Sequence, residues 1–302
     1  SRCCRIRSGQ TPKMIPRFLY YEPTVPSRAV VLVVHGLNLH PDRMAPICTL
    51  LQSLGVLVVR MALAGHRGDY AALPEVTRES WLEDYRSASR ILASAARGDG
   101  TGTELQDGSG TELPVGFIGQ SLGALTFCDF VLAAAEGRGS RLPVAGVSPL
   151  PRPSTLFARA LFLSPAVALR PRAQLLRPLA RLTRKLPIPS ASAPQDRLYP
   201  RLPAAAYRAL YTSYRAVRSR LRESSIPVPS TVVMHPRDEL ISRRGIERLI
   251  AGGQLPEGRL LLLEPDSMAR GTSHLAVCAE TMGDANWRRF EEAALNFVYA
   301  LC

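Results

Sequence analysis

Ala29-Val-Val-Leu-Val-Val34 is apolar at every position and mostly β-branched. A half-buried strand alternates apolar and polar residues, so a run with no polar position needs cover on both faces. Further strand-like runs follow at Val56–Arg60, Leu113–Ile118, Ala160–Leu163, Thr231–Met234 and Arg259–Leu263, with Phe18–Tyr21 as a weak first strand. Segments with helical spacing lie among them: Met44–Leu54, Trp81–Ala93, Ala124–Ala133, Ser242–Ala251 and Asn286–Ala300. Such alternation predicts an α/β fold, a doubly wound and mainly parallel sheet with helices on both sides. At 302 residues and 46% hydrophobic content, the chain can bury one large domain, or one domain carrying an insertion.

The alternation stops between Ala166 and Ser230, where Arg, Pro and Leu dominate, and this stretch is expected to be an insertion rather than an independent domain. It also holds most of the excess charge. The chain carries a net charge of +13, and its only lysines are Lys13 and Lys185. Arginine usage of that kind can be a compositional habit of a GC-rich genome, but clustering is not. Between Arg170 and Arg222 thirteen basic residues face a single acid, Asp196. Nucleic acid is not the expected partner, because no base-reading motif accompanies the charge. Residues Arg97–Thr111, with the echo Gly102–Leu105 and Gly110–Leu113, read as a surface loop without chemistry. No run approaches the length of a membrane-spanning helix and no signal-peptide pattern is present, so a cytoplasmic location is expected, with cell-envelope association as the alternative. The six cysteines have no metal-ligand spacing. Cys48 and Cys128 read as small core residues, Cys278 and Cys302 as a pair that an oxidising compartment would allow, and Cys3-Cys4 as part of a tail.

Gly119-Gln-Ser-Leu-Gly123 lies between a strand-like and a helical run. That context predicts a sharp turn presenting Ser121 at a helix N-terminus, where free N–H groups favour developing negative charge. A serine hydroxyl becomes a useful nucleophile only when a base removes its proton and a third group orients the base. Among five histidines, His35, His40 and His66 precede the serine and His235 directly follows a strand. His274 lies in a loop after the last strand, on the rim shared by the strand carboxyl ends, and is the expected base. Asp238, four residues past a strand end, is the expected acid; Glu239 beside it should point elsewhere, and Asp266 is the weaker candidate.

With His35-Gly36, Gly65-His-Arg-Gly68, Gly119–Gly123, Asp238 with Ile241, and His274 in hand, the chain resembles the α/β-hydrolases, in the lid-bearing group of monoacylglycerol lipases and carboxylesterases. The order Ser…Asp…His is the one that fold uses. Arg67 departs from the glycine that often follows the histidine there. The resemblance implies oxyanion donors at the backbone N–H groups of Leu37 and Leu122, and no metal or organic cofactor. It also implies a helical lid inserted after the sixth strand. The expected divisions are a tail over 1–15, a hydrolase core over 16–166 and 226–302, and an Arg-rich lid over 167–225. Leu175, Leu176, Leu179, Leu182 and Leu186 recur near helical spacing and are candidates to line an acyl pocket.

The function so implied is a serine hydrolase of lipophilic acyl esters such as monoglycerides, acting through an acyl-enzyme on Ser121. Thioester hydrolysis and acyl transfer use the same triad, and a non-catalytic binding protein on the same fold is the alternative from another class. An acid-poor lid disfavours aminopeptidase action. The basic lid is expected either to contact an anionic membrane surface or to be a solvated cap.

Overall fold

In a computed structural model, residues 14–98, 112–136, 153–190, 192–265 and 272–302 are described. Cys3, Cys4, Asp266 and nearly all of the 97–111 loop lie outside them.

Nine strands and nine α-helices are described. The strands are β1 (Phe18–Tyr21), β2 (Ala29–Val34), β3 (Val56–Met61), β4 (Val115–Gln120), β5 (Phe157–Leu163), β6 (Pro187–Pro189), β7 (Arg201–Pro203), β8 (Ser230–Met234) and β9 (Arg259–Leu262). The helices are α1 (Ala45–Ser53), α2 (Arg78–Ala96), α3 (Leu122–Ala135), α4 (Pro153–Leu156), α5 (Arg177–Leu182), α6 (Ala204–Arg220), α7 (Arg243–Ala251), α8 (Ala279–Met282) and α9 (Asp284–Tyr299). Seven strands form one sheet in the order β1-β3-β2-β4-β5-β8-β9. Only β1 runs antiparallel to its neighbour, which makes the sheet mainly parallel, as the sequence pattern predicts.

The two faces of β2 show why it carries no polar residue. Ala29, Val31 and Val33 join a core with Ile47, Cys48 and Leu51 of α1 and Phe290, Phe297 and Val298 of α9. Val30, Leu32 and Val34 join the other core, with residues of α2, α3 and α6. Period-two alternation thus divides one strand between two hydrophobic cores. Chain order reverses between β2 and β4, with β3 on one side of β2 and β4 on the other. In open parallel sheets the crevice outside the carboxyl ends at such a reversal is where ligands bind. Here the β2 end carries His35-Gly36-Leu37 and the β4 end carries Ser121.

The 164–229 segment leaves the sheet after β5 and returns at β8. The count of six strands before it comes from the resemblance; β5 is the fifth strand in the described residues. The segment contains α5, the antiparallel ribbon β6–β7 and α6. Helix α6 is fastened to the core by Asp129 of α3, which is fully buried. Arg78 of α2 grips that carboxylate through Nε (2.6 Å) and a second nitrogen (2.8 Å), and Arg220 of α6 adds a third contact at 2.9 Å. Cys48 and Cys128 are buried as expected. Cys278 is buried while Cys302 is exposed, and both are free thiols.

Replacing Asp129 by alanine leaves two guanidinium groups without their shared buried partner, a loss of about 3 kcal/mol. Urea denaturation should show it, with Asp129→Asn, which keeps one acceptor, falling between wild type and Asp129→Ala.

Candidate active site

Strand β4 ends at Gln120 and α3 begins at Leu122, which leaves Ser121 alone to turn the chain. Its φ of 49° and ψ of −104° are a conformation that costs a non-glycine residue about 1–3 kcal/mol. Neighbouring backbone holds it there. Ser121 N–H donates to Leu163 O (2.9 Å), and Ser121 O accepts from Leu125 N–H (3.0 Å) and Ala166 N–H (3.2 Å). The flanking glycines are required by close approach. A Cβ on Gly123 would sit 2.6 Å from the Val34 carbonyl oxygen, and one on Gly119 would sit 2.8 Å from Ala124 N. Neither backbone atom can yield, so no side chain fits.

Gly36 is crowded by side chains instead: its Cβ would displace the Gln120 amide, with Oε1 at 1.8 Å, and would lie 3.3 Å from Ser121 Cβ. The end of β2 therefore lies directly against the serine turn, with Leu37 next in the chain. Leu122 opens α3, so its N–H has no acceptor within its own helix. Leu37 N–H has no backbone acceptor among the described residues. Neither amide has a hydrogen-bond acceptor among the described residues.

The structure brings Ser121, His274 and Asp238 together. His274 Nε2 is 2.9 Å from Ser121 Oγ, and His274 Nδ1 is 2.9 Å from Asp238 Oδ2 and 3.2 Å from Oδ1. Asp238 is fully buried, and its Oδ1 also accepts the N–H groups of Leu240 and Ile241 at 2.8 Å each. A carboxylate surrounded by donors acts as acceptor, which places the imidazole proton on Nδ1 and leaves the Nε2 lone pair facing the serine hydroxyl. Burial pushes the Asp238 carboxyl up, but the hydrogen bond and charge of His274 and the Ile241 N–H outweigh it and hold the group below the usual carboxylate range.

The other four histidines are occupied elsewhere. His35 and His66 are fully buried, with ring centroids 4.7 Å apart. His35 Nε2 accepts Leu63 N–H (3.1 Å) and His66 Nε2 accepts Asn38 N–H (3.0 Å), so both rings are neutral braces between the β2 and β3 loops. Burial lowers His35 well below the ordinary histidine range and His66 to about 4. His40 Nδ1 accepts Asp42 N–H, and His235 Nδ1 accepts Arg237 N–H. Arg67 also has a structural use. Its guanidinium pairs with Asp84, whose other oxygen accepts Ala64 N–H at 2.6 Å, and the turn through Gly65 (φ 79°) is fixed from outside.

Two side chains to which the sequence assigns no role at the base grip the His274 backbone. Asp238 points at the imidazole and Glu239 points away from it, its carboxylate accepting Ser273 N–H (2.8 Å) and His274 N–H (2.9 Å). Gln120 Nε2 donates to His274 O at 3.3 Å. Their sequence signal is only adjacency, since each stands next to a triad residue.

The insertion is laced to the loops on both sides of the serine. Along the acid loop, Arg170 N–H donates to Leu240 O (2.8 Å) and Ser242 N–H to Ala168 O (2.7 Å). Side chains repeat the pattern, Arg170 Nε to Ile241 O (3.1 Å) and Arg172 Nε to Glu239 O (2.6 Å). Along the β2 loop, Asn38 (φ 57°) donates from Nδ2 to Tyr199 O (2.8 Å) and accepts Tyr199 N–H on Oδ1 (3.0 Å). The leucine row divides. Leu175 is 75% exposed and Leu179 36%, whereas Leu176 packs on the core; the side chain of Leu182 lies outside the described residues. Helix α5 spans only Arg177–Leu182, with Pro178 in its first turn, so Leu175, Leu176 and Leu186 lie outside it and the five leucines never share one helical face.

No protein-family model matches the sequence, and no curated protein matches it. Among solved structures the likeness extends over nearly the whole chain. A lipolytic enzyme from a study of the metagenome-derived LipS and LipT is 20% identical, with a TM-score of 0.66 over 95% of this chain and 99% of its own. A monoacylglycerol lipase from Paleococcus ferrophilus is 16% identical, with a TM-score of 0.63 over 94% and 98%. A soluble variant of monoglyceride lipase from Saccharomyces cerevisiae, in complex with a substrate analogue, is 11% identical, with a TM-score of 0.70 over 98% and 97%. At these identities the likeness establishes a shared fold.

The buried histidines set a pH dependence of stability. His66 folds with its pKa lowered to about 4 from 6.5. The unfolded chain therefore binds a proton that the folded chain refuses. His66 destabilises nothing above pH 6.5, and stability falls as pH drops from there toward 4, by about 1.4 kcal/mol per pH unit for one such group. Urea midpoints measured between pH 7 and pH 5 should decline, and His66→Gln, whose amide oxygen can accept from Asn38 without titrating, should flatten the decline.

Proposed function

We propose that this chain, an α/β-hydrolase by fold, is a serine hydrolase of carboxylic esters acting through an acyl-enzyme on Ser121. The observation that carries the reading is the unbroken hydrogen-bonded series from Ser121 Oγ through His274 to the buried Asp238. Ser121 Oγ attacks the ester carbonyl carbon while its proton passes to His274 Nε2. The new negative charge rests on the former carbonyl oxygen, where the N–H groups of Leu37 and Leu122 receive it. Such donors are fixed before the charge develops, and losing one costs about 3–4 kcal/mol. Asp238 keeps the proton on Nδ1 and stabilises the imidazolium. When the tetrahedral intermediate collapses, the carbon–oxygen bond to the alcohol breaks and His274 returns its proton to that oxygen. Water then repeats the sequence on the acyl-enzyme, releasing the carboxylic acid and restoring Ser121.

Lipophilic acyl esters such as monoglycerides are the proposed substrate class, with the 167–225 insertion as a lid over the serine. The structural likeness to two lipases of monoglycerides supports this choice. Thioesters are the competing substrate on the same triad. We further propose that the insertion touches an anionic membrane surface. Leu175 and Leu179 stand in solvent on a segment that carries Arg172, Arg177 and Lys185, which is the pairing of apolar contact and positive charge that such surfaces attract. No helix among the described residues is long and apolar enough to cross a membrane.

A fluorophosphonate probe should label the folded wild type and leave Ser121→Ala unlabelled; unlabelled wild type would sink the hydrolase reading. Acyl esters and thioesters of graded chain length then define the substrate. For the membrane contact, Leu175→Asp combined with Leu179→Asp should weaken partition onto phosphatidylglycerol vesicles by about tenfold or more, following the lost apolar burial. Unchanged partition means that the insertion is a solvated cap.

A further inference from the structure

The proposed reaction asks His274 to exchange a proton with Ser121 while keeping hold of Asp238, and the ring can do so only if its backbone is fixed. The sequence around it offers little fixing of its own. Residues 272–278 form no strand or helix; Leu275 N–H donates to Thr272 O, and at the far end the N–H groups of Val277 and Cys278 donate to Thr281 Oγ1 at 3.3 Å each. At His274 itself the grip comes from elsewhere in the chain. Both oxygens of Glu239 are used, one on Ser273 N–H and the other on His274 N–H. Bonds of this kind, with an ionised acceptor, are about twice as strong as neutral ones. Gln120 takes the carbonyl of the same residue from the opposite side.

Glu239 is itself well placed for this task. Asp238, its neighbour, is anchored by the N–H groups of Leu240 and Ile241, and the Glu239 carbonyl is taken by Arg172 of the insertion at 2.6 Å. One short loop therefore sets two things at once: where the acid stands, and where the backbone of the base stands relative to it. The carboxylate touches neither the serine nor the imidazole ring in any recorded contact, so its effect on chemistry must pass through the His274 main chain.

We infer that Glu239 is a positioning residue for His274, a role that deepens the acyl-hydrolase proposal and rests on it. Its loss lets the loop drift without removing any reacting group. Displacement of a catalytic group by about 1 Å can cost about a hundredfold in rate. The effect falls on kcat, because both carboxylate oxygens are spent on the main chain that carries the base.

The test compares wild type, Glu239→Gln and Glu239→Ala on a short p-nitrophenyl ester, with melting temperature and the low-field proton NMR spectrum recorded for each. Glu239→Ala should lower kcat by about 10- to 100-fold with KM changed less than about threefold. Glu239→Gln, which keeps one oxygen to accept an N–H, should recover part of the loss. The low-field proton of the His274–Asp238 bond, identified by its absence from His274→Ala, should broaden or vanish in Glu239→Ala and persist in Glu239→Gln. Full kcat in Glu239→Ala, or a glutamine variant no better than alanine at an unchanged melting temperature, overturns the inference. If the wild type hydrolyses no ester, it is the reaction proposal that fails. The NMR comparison then decides Glu239 alone, with an unaltered proton signal in Glu239→Ala counting against it.

Discussion

The architecture around Ser121 depends on how closely the first turn of α3 lies against the end of β2. Gly123 sits where a Cβ would be 2.6 Å from the Val34 carbonyl, and Gly36 sits where a Cβ would strike Gln120 and press on Ser121. That contact does two jobs at once. It packs against the serine, whose backbone is left-handed (φ 49°), and places the turn where the strand order reverses. Strain at one residue persists because packed backbone on every side leaves no relaxed alternative. The hydrophobic cores on the two faces of β2 supply the stability against which that strain is held.

A second theme is how polar groups deep in the molecule are used. His35 and His66 occupy the interior in neutral form and brace the loops after β2 and β3, while Asp238 stays charged because donors surround it. Asp129 stays satisfied by two arginines from different helices, one of them in the insertion. None of these groups is there for hydrophobic burial. Each fixes the geometry of an element that the site needs, which fits the rule that interior polar groups must find partners or be expelled.

Much of this was legible in the sequence, and the reasons differ by element. Strand β2 was readable to the residue, because burial on both faces leaves no polar position to blur the pattern. The strand β4 was read two residues early at each end, since its last residues, Gly119 and Gln120, look like turn residues and pair with β5 only in the fold. Ser121, Asp238 and His274 were readable because motif, order and strand-end position converge on them. Glu239 is legible as a residue turned away from the ring, but its hold on the Ser273 and His274 N–H groups is not, because nothing in the sequence shows which loop will lie against it. The insertion was the least legible. Its leucines recur near helical spacing, yet α5 starts only at Arg177 and ends at Leu182, and the long helix α6 is hidden in an arginine-rich stretch whose buried face is rich in alanine. Alanine and arginine favour helix but give a weak hydrophobic signal.

The lacing of the insertion has an evolutionary consequence. Residues 168–172 run along the acid loop and 196–199 along the β2 loop, so the first half of the segment is pinned at two seams through its own main chain, which tolerates many side chains. Between those seams the tie is a side chain, Arg184, whose guanidinium donates to Pro74 O at 2.8 and 3.1 Å. A chain built this way can inherit its reaction unchanged while the middle of one segment is rewritten, and descendants with different appetites can share a single pair of seams.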